Sequence, residues 1–112
     1  MLPMHQAAAS AFIREVAASG GRCLIHCWAG VNRSGVLACA ELLLAERLPV
    51  LEVVARAKRA RGTILWNESF QLQLVVLAEE HGLLGPRPEG TAKLKPQKAA
   101  RKPAAAAFAR LA

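Results

Sequence analysis

A small α/β domain, mostly helical and with one central strand running into a tight loop, is the fold class that three observations predict. Four stretches repeat apolar residues at helical spacing. One short apolar run, Cys23-Leu24-Ile25, is the only convincing strand. Between that run and the long apolar stretch Val36 to Ala45 lies His26-Cys27-Trp28-Ala29-Gly30-Val31-Asn32-Arg33-Ser34-Gly35, a pattern of strand, loop and helix.

Each element has its own warrant. Pro3 to Ala18 reads as a helix, with Ala9, Phe12, Ile13, Val16 and Ala17 at helical spacing and Pro3 suited to a first turn. Gly20-Gly21 ends it, and Arg22 to His26 forms the strand. Ser34 to Arg47 is apolar nearly all round until Glu41 and Glu46, which places this helix in the core. Leu48-Pro49 breaks it. Val50 to Arg61 is a third helix, with Val53, Val54, Ala57 and Ala60 on one face, and Gly62 stops it. Thr63-Ile64-Leu65-Trp66 is short and is an edge piece at best. Asn67 caps a fourth helix running to about Glu80, with Phe70, Leu74 and Leu77 inward, and Gly82 closes it.

The 112 residues suit one domain, residues 1–85, followed by a tail, residues 86–112. At 54% hydrophobic the chain can build a core, yet no apolar run reaches the length of a membrane span. The Met1-Leu2-Pro3-Met4 start lacks the features of a secretory signal. Three cysteines without paired spacing argue against a disulfide framework or a zinc site, and no metal or other cofactor is expected. Cys23 and Cys27 are too far apart along a strand to bridge. A reducing, cytoplasmic setting suits a reactive Cys27. Residues 1–85 hold eight Arg/Lys and seven Glu, whereas residues 86–112 hold seven Arg/Lys and one Glu, so the net charge of +7 belongs mostly to the tail. Its Pro, Lys, Arg and Ala content reads as a disordered, solubilising extension, with acidic membrane surface or nucleic acid as the alternative partner. Arg56, Lys58, Arg59 and Arg61 read as a solvated helix face, or as a rim that attracts acidic phosphorylated substrates.

The loop carries the chemistry. Backbone N–H groups turned inward make an anion nest, and the following helix adds its positive end. Gly30 allows the loop to close tightly. Arg33 presents a planar fork that matches two phosphate oxygens. Cys27 sits where a thiolate would face the phosphorus, in positive surroundings that lower its pKa from about 8.5. Trp28, Ala29, Gly30, Val31, Asn32 and Arg33 are thus the candidate phosphate-binding residues. Trp28 either points outward at the pocket mouth or packs inward.

Cys27 and Arg33, with five residues between them, His26 before and Ser34 after, resemble the signature loop of the cysteine-dependent protein phosphatases. Ala29-Gly30 and Arg33-Ser34-Gly35 resemble the dual-specificity branch, and Asn67-Glu68-Ser69-Phe70-Gln71-Leu72-Gln73-Leu74 looks like that family's closing helix. The likeness covers roughly residues 4 to 84. It implies a partial protein-tyrosine-phosphatase-like fold, the C-terminal half of the usual domain, and a phosphorylated protein or other phosphomonoester as substrate. It also implies the site roles: Cys27 as nucleophile of a phosphocysteine mechanism, Arg33 as phosphate clamp, Ser34 as stabiliser of the departing thiolate, and His26 as a residue that holds the loop and tunes the thiol.

Two features depart from the family. A parallel sheet needs strands on both sides of a central one, and no other segment offers them. The family's general acid is an aspartate, and this sequence contains none. Glu68 is the weak substitute and His5 a weaker one. An alternative reading follows: a phosphate-binding module, similar to a pseudophosphatase, that keeps the cradle without useful turnover. A rhodanese-like or arsenate-reductase-like protein shares the cysteine–arginine spacing but fits the Ala29-Gly30 and Ser34-Gly35 context less well.

Overall fold

The computed structural model describes residues 1–87, in which α1 (Leu2–Ala18), α2 (Arg33–Glu46), α3 (Val50–Arg61) and α4 (Glu68–Glu80) follow one another. Helices α2 and α4 are central: α1 packs against both, and so does α3.

The apolar character of α2 has the consequence expected of it. Val36, Ala40 and Leu43 expose no surface and Cys39 almost none. Burying a valine or leucine side chain to that degree contributes about 1.5–3 kcal/mol. The helix stops at Arg47, which takes a left-handed φ of 50° and returns its N–H to the Leu43 carbonyl. Pro49 then serves as N-cap of α3, and the Val50 N–H donates to the Leu83 carbonyl at 2.8 Å, which ties the start of α3 to the chain leaving α4.

Val50 and Val53 are the buried residues of α3, with Val54 and Ala57 packed against the core. Glu52 in its first turn and Lys58, Arg59 and Arg61 in its last complement the helix dipole. Gly62 ends it with φ 73°. The cap expected of Asn67 is present: its side chain accepts the Phe70 N–H at 3.1 Å, and Leu74 and Ala78 of α4 are buried.

Helix α1 is less well covered than its spacing implies. Its buried residues are Leu2 and Ser10, whereas Phe12 is 60% exposed. A buried hydrogen bond from the Leu2 N–H to Gln73 Oε1, at 2.9 Å, anchors its first turn to α4 and satisfies one of the donors that a helix start leaves open.

The expected strand is corrected. Residues 21–27 have no regular secondary structure, and there is no strand among the described residues. A strand exists only through ladder bonds to a neighbour, and no described segment pairs with this one. Most of its side chains are correspondingly open to solvent, with Leu24 82% exposed and Ile25 and Cys27 half-buried. The described part of the chain is therefore all-helical, and the central strand of the α/β expectation is absent from it. Thr63 to Trp66 is no edge strand either. It is an irregular turn whose Ile64 and Leu65 are buried. No helix among the described residues is long and apolar enough to cross a membrane. The basic tail lies outside the described residues from position 88 onward.

Candidate functional site

The loop between Cys27 and Arg33 closes onto the head of α2. Gly30 takes φ 68°, a left-handed conformation that a residue with a Cβ resists, and this lets the chain double back. The return brings Cys27 Sγ within 3.2 Å of Ser34 Oγ. The thiol is lowered to about 6, first by the Ser34 hydroxyl and next by the Ser34 N–H. Partial desolvation opposes the shift, and the Gly30 and Val31 N–H groups add to it. Cys27 is thus a thiolate at neutral pH, with the serine hydroxyl donating to sulfur. Cys39 shows the opposite case: burial alone in the core of α2 pushes its thiol up to about 11. Two thiols twelve residues apart thereby acquire different acidities from their surroundings.

The inward N–H groups have a structural cause on the other side of the loop. The Val31 carbonyl accepts from the Leu65 N–H at 3.0 Å, and the Gly30 carbonyl accepts from Arg61 Nη2 at 3.4 Å. Asn32 Oδ1 accepts from both Trp66 and Asn67, at 3.0 and 2.8 Å. Leu65 holds a left-handed φ of 56°, a conformation that costs a non-glycine residue of order 1–3 kcal/mol. Its N–H on Val31 and its carbonyl on Gln71 Nε2, at 2.8 Å, keep it there. Gly35 completes the brace: a Cβ there would lie 2.8 Å from Ile64 Cγ1, so only glycine lets the helix head approach this turn so closely.

The other candidates fall around this centre. Trp28 is 93% exposed, which decides for the outward reading. Ala29 is exposed, and Val31 and Asn32 are half-buried. Arg33 is the first residue of α2, is exposed, and has no hydrogen bond or ion pair among the described residues. His26 is exposed and borders a hollow of about 370 Å³, together with Leu24, Ile25, Gly30, Ser34 and Arg61. None of the residues lining that hollow carries a carboxylate. Glu68 is exposed in the first turn of α4, and His5 is exposed on α1.

The basic face of α3 divides in two. Arg56 is engaged by Glu46 and Glu52, each at 3.1 Å, and Arg59 lies 3.9 Å from Glu52. Arg61 instead turns to the loop. Sequence reasoning missed the whole brace from Arg61 to Asn67. The available signal was an asparagine at a helix start, and it points to a cap on its own helix, a bond the structure does not make.

Comparison with known proteins agrees with the motif. Residues 5–80 match the family described as dual specificity phosphatase, catalytic domain. Dual specificity protein phosphatase 26 of Bos taurus is 43% identical over 77 residues, which cover 68% of this chain and 36% of that protein. Dual specificity protein phosphatase 2 of Mus musculus is 42% identical over 69 residues, covering 62% of this chain and 22% of its own length. The chain therefore spans about a third or less of these curated relatives. No solved structure gives a significant match. Because the family match takes in most of the described helices and the entire cysteine loop, the chain belongs to the dual specificity phosphatase catalytic-domain family.

Proposed function

We propose that this chain carries the nucleophile and phosphate cradle of a phosphomonoester hydrolase of dual-specificity type, acting on phosphorylated tyrosine, serine or threonine. The observation that carries the reading is the 3.2 Å approach of Ser34 Oγ to a Cys27 thiol held at about 6. The thiolate attacks phosphorus, the bond from phosphorus to the leaving oxygen breaks, and a phosphocysteine forms. Arg33, free of other partners at the head of α2, clamps two phosphate oxygens while loop N–H groups hold the third. Water then attacks phosphorus, the P–S bond breaks, and inorganic phosphate departs. Ser34 donates to the thiolate that re-forms. His26, next to the cysteine, steadies the entry to the loop. A reducing cytoplasmic setting preserves the thiolate, and residues 86–112 serve as a solubilising extension of the core, residues 1–85.

A second reading, a phosphate-binding module without useful turnover, is favoured by one feature: the sequence has no aspartate to serve as general acid. General-acid assistance typically contributes about 10²–10⁴-fold. One experiment separates the two. Nitrophenyl phosphate and a phosphotyrosine peptide are offered to the wild-type chain and to Cys27→Ser. The hydrolase reading expects turnover of the nitrophenyl ester that Cys27→Ser abolishes while tungstate binding survives. Without an acid, the peptide turns over far more slowly, since a tyrosine-like phenolate has a pKa of about 10. Wild-type tungstate binding with no turnover of either ester establishes the binding module. Equal rates for both esters with collapse in Glu68→Gln identify Glu68 as the acid.

A further inference from the structure

Asparagine at the N-cap of a helix ordinarily turns its side-chain oxygen onto the N–H of the second or third helical residue. Asn32 is the N-cap of α2, and those residues are Ser34 and Gly35, yet its side chain makes no such bond. Oδ1 is turned outward instead and takes the N–H groups of Trp66 and Asn67, at 3.0 and 2.8 Å. Two donors from one turn converge on one acceptor. With the Leu65 N–H on the Val31 carbonyl beside them, they grip the loop at adjacent residues.

We propose that Asn32 is a positioning residue: its two bonds to the Trp66–Asn67 turn hold the end of the loop so that the Ser34 N–H at the head of α2 meets the Cys27 sulfur and the anion held beside it. Asn32 has helical backbone angles, φ −103° and ψ −61°, which turn its side chain away from its own helix and toward that turn. The two donors come from a segment more than thirty residues away, so the end of the loop is fixed by a distant part of the chain. The Ser34 N–H is in fact one of the groups that lower the Cys27 thiol. This inference rests on the reading of Cys27 as a thiolate centre, and its test does not require turnover.

The test is the pH dependence of iodoacetamide alkylation at Cys27, followed peptide by peptide in the full chain so that Cys23 and Cys39 do not contribute. Three variants are compared with wild type. Asn32→Ala removes the acceptor and leaves the charged and titratable neighbours His26, Arg33 and Arg61 in place. Asn67→Ala keeps the backbone N–H to Asn32 but deletes the side chain that caps α4. Asn67→Pro deletes the N–H itself at a position whose φ of −72° suits proline.

Wild type is expected to titrate near 6 and Asn32→Ala near 7, an approximately fivefold slower alkylation at pH 6. Asn67→Ala is expected to melt earlier but to titrate as wild type, and Asn67→Pro to fall between wild type and Asn32→Ala. A merely structural role for Asn32 would lower melting, as in Asn67→Ala, and leave the thiol titrating as wild type. Asn32→Ala titrating as wild type overturns the proposal. If that variant does not fold, Asn67→Pro decides: a wild-type titration there overturns it equally. Should wild-type Cys27 itself titrate near 8.5, the thiolate reading fails and this inference falls with it.

Discussion

The two arms of the cysteine loop are built in opposite ways. The arm leading in, Arg22 to His26, has no backbone hydrogen bond to any described segment and leaves Leu24 82% exposed. The arm leading out, α2, places Ser34, Gly35 and Val36 out of solvent within three residues of Arg33 and continues into the core. The loop between them is held from its exit and from the Thr63–Asn67 turn. The contrast teaches that the shape of the loop and the lowered thiol depend on helix packing and on one braced turn. The apolar entry arm leads the chain to Cys27 and adds little stability.

The largest effects should fall on the exit arm. Leu43→Ala removes a fully buried side chain and is expected to cost about 2–5 kcal/mol, whereas Leu24→Ala should stay within about 0.5 kcal/mol. Denaturant unfolding of the two variants measures both; equal losses would show that Leu24 is packed in solution. A smaller effect is expected of Arg33→Lys, which keeps the charge at the head of α2 but loses the fork. Tungstate affinity measured by calorimetry should fall by about 1.5–3 kcal/mol, the worth of a hydrogen bond to a charged group. Wild-type affinity in the lysine variant would make Arg33 a surface residue.

Ser34→Ala sharpens the comparison at the junction itself. The Cys27 thiol is depressed in the folded chain, so the thiolate is present above about pH 6 and is lost as pH falls through that value. Removing the hydroxyl, the largest cause of the depression, moves the limb upward, and alkylation at pH 7 should slow by up to about tenfold. Cys39, raised to about 11 by burial, should remain unreactive in both proteins and serves as the internal control. The smallest effect is expected from deleting residues 88–112. Thermal melting and nitrophenyl phosphate turnover of the shortened chain should match those of the full one, and a drop of many degrees would assign part of the tail to the body.

Local order is what the amino-acid sequence determined by itself. The stop at Gly62, the cap at Asn67 and the all-round apolar character of α2 are decided within a few residues, by backbone freedom, by one side-chain oxygen and by periodicity. The spacing from Cys27 to Ser34 likewise follows from a tight turn at Gly30 into a helix. Tertiary structure decided the rest. Cys23-Leu24-Ile25 has the composition of a strand, but strand formation needs a partner, and none is present among the described residues. Phe12 repeats at helical spacing yet lies open, since periodicity says which residues share a face and not whether anything covers it. Asn32 carries the ordinary signal for a cap on its own helix, but its backbone is already helical there and its oxygen takes two N–H groups at positions 66 and 67 instead. Local propensity ranks the bonds a residue is able to make with its neighbours. Only the folded chain brings forward the competitors that win.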